Sequence, residues 1–140
     1  MLIASTEVEN RSIFPNNIYM YEYNLKLTRV IDGDTIEGMV DLGFGIHMKK
    51  KIRLLGINAP ETKLQRKIKN VMEREKEKQM GLMAKAKLRE LLKGQKITIK
   101  TELDKTGKFG RVLGTLYTHE TDCPLNVNEF LLSHGFADEY

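Results

Sequence analysis

One cysteine, Cys123, is all the chain contains. That excludes an intrachain disulfide and any metal site built on cysteine. Long apolar runs are missing as well. Residues 1–20 have neither a basic leading region nor an apolar stretch, so neither a signal peptide nor a membrane span is expected. A mature chain that had lost its signal would look the same. Localisation therefore stays open, with an intracellular or phage-encoded setting favoured over secretion. The 3 histidines, His47, His119 and His134, are isolated and at no ligand spacing, which fits surface or core positions better than a zinc site. No Walker loop, Ser-His-Asp order, internal repeat or interdomain linker is present. Nothing marks an oligomer interface, so a monomer is expected.

What is present suits a globular domain. The 140 residues are 41% hydrophobic, enough for one domain with a modest core. Lys and Arg number 23 against 19 Asp and Glu, a formal charge of +4. This mild excess suits a polyanionic partner such as nucleic acid without requiring one. A solvated basic surface explains it equally well.

Residues 1–17 show no period and read as an arm, leaving 18–140 as the domain. A first strand is expected over 18–31, where Tyr21, Tyr23, Leu25 and Leu27 alternate with polar residues. Asp32 and Gly33 then make a hairpin-type turn, explained by the tolerance of glycine for positive φ. A second strand follows over 35–42, with Ile36, Val40 and Leu42 on one face. After a turn at Gly43, Phe44 and Gly45, a third strand over 46–55 puts Ile46, Met48, Ile52 and Leu54 on one face. His47, Lys49, Lys51 and Arg53 fall on the other.

Helical spacing predicts a helix over 80–93, ended by Gly94, and a second upstream within 64–78 that is separate from it or continuous with it. Their apolar stripes read as packing faces. Residues 62–80 look like a basic insertion: 7 Lys/Arg against 3 Glu gives +4, the whole net excess of the chain. The segment is either a solvated helix laced with ion pairs or an arm that steers a polyanion. Strands over 96–103 and 111–118 flank a glycine- and lysine-rich loop. Asn126 caps a last helix, with Glu129 completing a capping box and Gly135 closing it. The tail, 136–140, is too short for another helix. The order β-β-β-α-β-β-α makes an α+β, mainly β chain and matches the partly open five-stranded barrel of the OB-fold type.

The chemistry-bearing residues cluster at two places in the sequence. Asp32 and Asp34 flank the first turn, while Asn58 and Glu61 follow the third strand. A meander would bring these four near Arg53. Oxygen-only ligands suit a hard cation such as Ca²⁺ or Mg²⁺. Carboxylates for a cation, arginines for a phosphate and a spare Glu are the parts needed to hydrolyse a phosphodiester. An Asp-Gly turn alone is most often a mere turn.

Val30 to Thr35 reads Val-Ile-Asp-Gly-Asp-Thr, and Arg53 to Glu61 reads Arg-Leu-Leu-Gly-Ile-Asn-Ala-Pro-Glu. Phe109, Gly110 and Arg111, then Val127, Asn128 and Glu129, follow in order. This succession resembles the motifs of the staphylococcal nuclease (thermonuclease) family over about 20–137. The resemblance implies an OB-type barrel that cleaves DNA and RNA, single- or double-stranded, to 3′-phosphate ends with Ca²⁺. It implies Asp34 as a metal ligand, Asp32 acting on the metal through water, Asn58 at the second ligand position, and Ala59 contributing its main-chain carbonyl. Glu61 would be the general base, and Arg53 and Arg111 the phosphate-binding arginines. Asn58 departs from the family, which has Asp there. One charge fewer predicts weaker Ca²⁺ binding or another preference, Mg²⁺ included. Lys49, Lys51, Lys63, Arg66 and Lys67 are the candidate nucleic-acid contacts. A module of the same fold that binds nucleic acid or protein without cleaving is the alternative.

Overall fold

The computed structural model describes residues 21–63, 70–102 and 111–140, with Arg111 placed by its backbone. The expected N-terminal arm, the glycine- and lysine-rich loop, and Arg66 and Lys67 lie outside the described residues.

Strand β1, Tyr21–Asp32, serves two partners. It pairs with β2, Thr35–Asp41, over Asn24 to Asp32, and with β5, Ile97–Glu102, over Tyr21 to Leu25. A strand can serve two neighbours that diverge only if it coils, and a register shift between Leu27 and Arg29 supplies the bend. The shift also changes which residues face inward. Leu25 is buried and Leu27 packs on the core, but the next buried residue is Val30, not Arg29. Strand β3, His47–Leu54, pairs antiparallel with β2. It then closes the barrel by pairing parallel with β6, Arg111–Thr118, from Lys51 opposite Arg111 to Leu54 opposite Gly114. β5 and β6 pair antiparallel. The result is the expected five-stranded OB-type barrel, with two helices among the described residues. Ile36, Ile52, Leu54, Ile99 and Leu116 lie at its centre, each 0–1% exposed.

The shared strand face is buried only part of the way along the β2–β3 hairpin. Leu42, Ile46 and Met48 share the strand face of Val40 and Ile52, yet all three are exposed. The β1 ladder ends at the Asn24–Asp41 pair, so beyond it the hairpin has no facing wall.

The two expected helical segments are one helix where described: α1, Val71–Leu92, capped by the Asn70 side chain accepting from the Met72 N–H at 2.9 Å. Its last turns press Ala84, Leu88 and Leu92 into the barrel. At 22 residues it is about 33 Å long, more than the barrel end can cover. The first turns therefore project. Val71 and Met72, read as packing residues, are 69% and 80% exposed. Helix α2, Val127–Ser133, is capped by Asn126, whose side chain accepts from the Glu129 N–H at 3.1 Å. The tail is not shapeless. Strand β8, Asp138–Glu139, pairs with β4, Ile57–Asn58, and Tyr140 N–H donates to the Gly56 carbonyl at 3.0 Å. A two-residue ladder is too short to leave a period in the sequence. A similar two-residue strand, β7, Leu125–Asn126, leads into α2. Among the described residues no helix is long and apolar enough to cross a membrane.

Candidate active site

The β1–β2 turn and the exit of β3 meet at one end of the barrel. Leu54 N–H donates to the Asp34 carbonyl at 2.8 Å, which locks the two segments together. Gly33 is needed there, though not for positive φ, which it does not have. The reason is close approach. A Cβ on Gly33 would lie 2.6 Å from the Ala84 Cβ and 2.8 Å from the Ala59 Cβ. The turn, the segment after β3 and helix α1 converge on that one point, and three small residues let them.

Asp34 is buried at the centre. Its Oδ1 accepts from Thr35 Oγ1 at 2.9 Å, and its Oδ2 accepts from Ala59 N–H at 2.8 Å. Arg53 Nη1 stands 3.3 Å from the same Oδ2 and donates to the carbonyls of Leu54 at 3.2 Å and Asp34 at 3.4 Å. Arg53 Nη2 donates to Asn58 Oδ1 at 3.1 Å. The Arg53 side chain is only 13% exposed, so this ion pair sits in a weakly screened setting. The guanidinium also lies over the Tyr140 ring, 5.5 Å from its centre. Its Nε makes no hydrogen bond among the described residues. One edge of the fork is therefore left for an anion.

Asp32 stands beside Asp34. Burial, together with the hydrogen bond and negative charge of Asp34, raises its carboxyl from 3.8 to about 6. Its Oδ1 is buried without a partner. An orphaned carboxylate oxygen next to a second carboxylate is what a cation relieves, so the donor set fits a hard divalent ion. The fit is leaner than in a fully anionic site. Among the described residues, no three His, Cys, Asp or Glu side chains gather around one point. Asn58 is the neutral third oxygen, and its Oδ1 is already engaged by Arg53.

Glu61 is exposed just after Pro60. Its main chain is held tightly, because Gly81 of α1 packs flat against it. A Cβ on Gly81 would overlap the Glu61 carbonyl oxygen and lie 2.7 Å from that of Pro60. Arg111 is brought next to this region by backbone register, opposite Lys51 and two residues from Arg53 along the β3 ladder. Lys49, Lys51 and Lys63 are exposed. The structure thus gathers Asp32, Asp34, Arg53, Asn58 and Ala59 into one contact network. Among the described residues no hydrogen bond or ion pair joins exposed Glu61, Lys49, Lys51 or Lys63 to it.

Three supporting residues escaped the sequence reading. Asn128 is buried, and its amide donates to the carbonyls of Leu55 at 2.9 Å and Gly114 at 3.1 Å while its Oδ1 accepts from Leu116 N–H at 3.1 Å. It stitches the exit of β3 to β6. Its only signal was membership of the Val127–Glu129 motif. Tyr140 under Arg53 and Gly81 under Glu61 gave no signal, because each acts through a contact far away in sequence.

Comparison with known proteins agrees with this geometry. Endonuclease YhcR of Bacillus subtilis (strain 168) is 34% identical over 120 residues, 85% of this chain and 9% of that protein. A protein of Escherichia coli named as an uncharacterized endonuclease is 29% identical over 115 residues, 82% of this chain and 60% of that one. Uncharacterized protein MJ1439 of Methanocaldococcus jannaschii is 30% identical over 128 residues, covering 84% and 59% respectively. The chain spans less than two thirds of the length of each of these relatives. A family model described as staphylococcal nuclease homologue matches residues 51–140, from the middle of β3 through Tyr140, and on that match the chain belongs to this family.

Proposed function

We propose that the chain is a divalent-cation-dependent nuclease module hydrolysing phosphodiester bonds of DNA and RNA, with Ca²⁺ the first candidate ion and 3′-phosphate ends the products. One observation carries the reading: Arg53 is fixed by Asp34 and Asn58 beside the Asp32–Asp34 pair, with its Nε edge left over. Family membership and the two relatives named as endonucleases support it.

In this reading Asp34, Asn58 and the Ala59 carbonyl hold the cation, with Asp32 acting through water. When bound, the cation supplies positive charge beside the phosphate oxygens and acidifies a neighbouring water. Arg53 clamps the phosphate with its planar fork, for which lysine would be a poor substitute, and Arg111 is proposed as its partner. Two guanidiniums stabilise the charge that grows on the phosphate oxygens in the transition state. Glu61 takes the proton of the attacking water. The new P–O bond forms as the bond to the 5′-oxygen breaks; that oxygen takes a proton from solvent and leaves as a hydroxyl, and the phosphate stays on the 3′ side. Lys63, Arg66 and Lys67 are proposed as outlying contacts on sequence grounds. The neutral Asn58 favours a second reading, a module that binds nucleic acid without cleaving it.

The test incubates single-stranded DNA, duplex DNA and RNA with the protein in Ca²⁺, in Mg²⁺ or in chelator, beside Glu61→Gln and Arg53→Ala. Cleavage should need the cation and fall at least about a hundredfold in both variants. Binding without cleavage supports the second reading, and cation-independent cleavage defeats the proposed chemistry.

A further inference from the structure

The outer face of β3 carries a row of basic side chains that the chemistry above leaves unused beyond Arg53. His47, Lys49 and Lys51 are exposed and alternate with Met48, Lys50 and Ile52, so they line up with Arg53 along one face. Residues two apart on a strand stand about 6.8 Å apart, close to the separation of neighbouring phosphates in an extended single strand. From Arg53 to His47 the row runs about 20 Å in a straight line.

Charge along the row is unbalanced in one direction. Glu37 and Asp41 are the acidic residues facing it from β2, opposite Lys51 and His47. Glu37 is already shared by Arg29 at 3.2 Å and Lys49 at 3.5 Å, and Asp41 accepts from the Gly43 N–H at 2.9 Å. Lys51 has no ion-pair partner among the described residues. On the far side of β3, the residue in register with Lys51 is Arg111.

The row ends at the hairpin turn, where Phe44 is fully exposed. Its φ is 56°, between Gly43 at 84° and Gly45 at 76°, a left-handed run that a bulky residue adopts only at a cost. An aromatic ring held out in this way at the end of a lysine row combines the two elements of a single-strand platform, cations for phosphates and a π-face for an unpaired base. A protein surface seeking apolar contact would meet Leu42, Ile46 and Met48 on the opposite hairpin face and leave the lysines unused.

We infer that the outer face of β3 is a rail for single-stranded nucleic acid, with successive phosphates on Arg53, Lys51 and Lys49 and a base stacked on Phe44. The inference rests on the proposed function only in placing the reacting phosphate at Arg53.

The test measures binding by fluorescence anisotropy in chelator, with the Glu61→Gln protein, so that the proposed chemistry is suppressed by both means. The probes are labelled oligothymidylates of two to twelve nucleotides. Affinity should rise with length until the strand reaches from Arg53 to Phe44, then level off. Lys49→Ala with Lys51→Ala should lower the slope of log affinity against log salt by about 1.4 for the long probes, because two phosphates are no longer neutralised. Phe44→Ala should weaken the long probes about tenfold and leave the two-nucleotide probe unchanged. An unchanged salt slope in the double variant overturns the rail, whatever the wild type cleaves. Conversely, a wild type that binds with these dependences but does not cleave leaves the rail standing and removes the nuclease reading. A duplex bound as tightly and equally weakened by Phe44→Ala overturns the assignment to single strands.

Discussion

Replacing Gly81 by alanine sets two known effects against each other. Alanine is favoured over glycine in a helix interior by about 1 kcal/mol, so at an open site the change would stabilise α1. At this site the new methyl group meets the main chain of Pro60 and Glu61, with the Pro60 carbonyl oxygen 2.7 Å and the Glu61 carbonyl carbon 2.6 Å away. Backbone atoms cannot swing aside as a side-chain tip can. The neighbouring turn is held as well, because Ala84 of the same helix face touches Gly33. Overpacking of this kind costs about 1–3 kcal/mol, so the net change runs from about zero to about 2 kcal/mol of destabilisation. The helix must shift or push the Glu61 peptide outward. If Glu61 is the proposed base, a displacement of order 1 Å there costs about a hundredfold in rate. Urea unfolding and cleavage at saturating substrate, measured on the same preparation, should therefore show a modest loss of stability and a disproportionate loss of turnover. A variant about 1 kcal/mol more stable than wild type, with full turnover, would show that α1 does not bear on Glu61 and would refute the packing argument.

Other perturbations probe the remaining parts of the site. The folded, metal-free protein keeps the Asp32 proton up to about pH 6, whereas the unfolded chain releases it near 3.8. The folded state thus binds more protons in that window, so the contribution of Asp32 to stability is full at the acid end and is lost as pH rises through about 6. In chelator, Asp32→Asn should gain stability relative to wild type as pH rises through the window, and a pH-independent difference between the two urea curves would contradict the shift. Asn58→Asp should bind Ca²⁺ about tenfold tighter by calorimetric titration, because it puts a charged oxygen at the proposed ligand position; equal affinities would mean that residue 58 is not a ligand. Asn128→Ala strands the carbonyl of Leu55 and the N–H of Leu116, while the Gly114 carbonyl keeps the Leu55 N–H at 2.8 Å, and should cost about 2 kcal/mol in urea unfolding. A loss under about 1 kcal/mol would mean that water replaces the amide.

Much of this protein is legible without coordinates, because its information is local. Period two in Ile36, Val40, Ile52 and Leu54 sets the strand faces. Asn126 and Gly135 mark the ends of the last helix through capping chemistry, and the carboxylates and Arg53 lie close enough in sequence for a single meander to join them. Tertiary structure decided whatever depends on contacts between distant segments. Strand parity cannot say where a barrel wall ends: Leu42, Ile46 and Met48 share the face of Val40 and Ile52 and yet stand outside. Helical spacing cannot say how far a helix overshoots its core, so Val71 and Met72 read as packing residues and face solvent. Gly33 is glycine because α1 arrives at it, a fact about Ala84, fifty-one residues away. The Tyr140 ring under Arg53 and the Gly81 seat beneath Glu61 are of the same kind. Sequence by itself determined which groups could do the chemistry, because residue type carries charge and hydrogen-bonding capacity. Only the closed barrel decided which of them meet, because burial and distance arise when β3 pairs with β6 and α1 packs across the end.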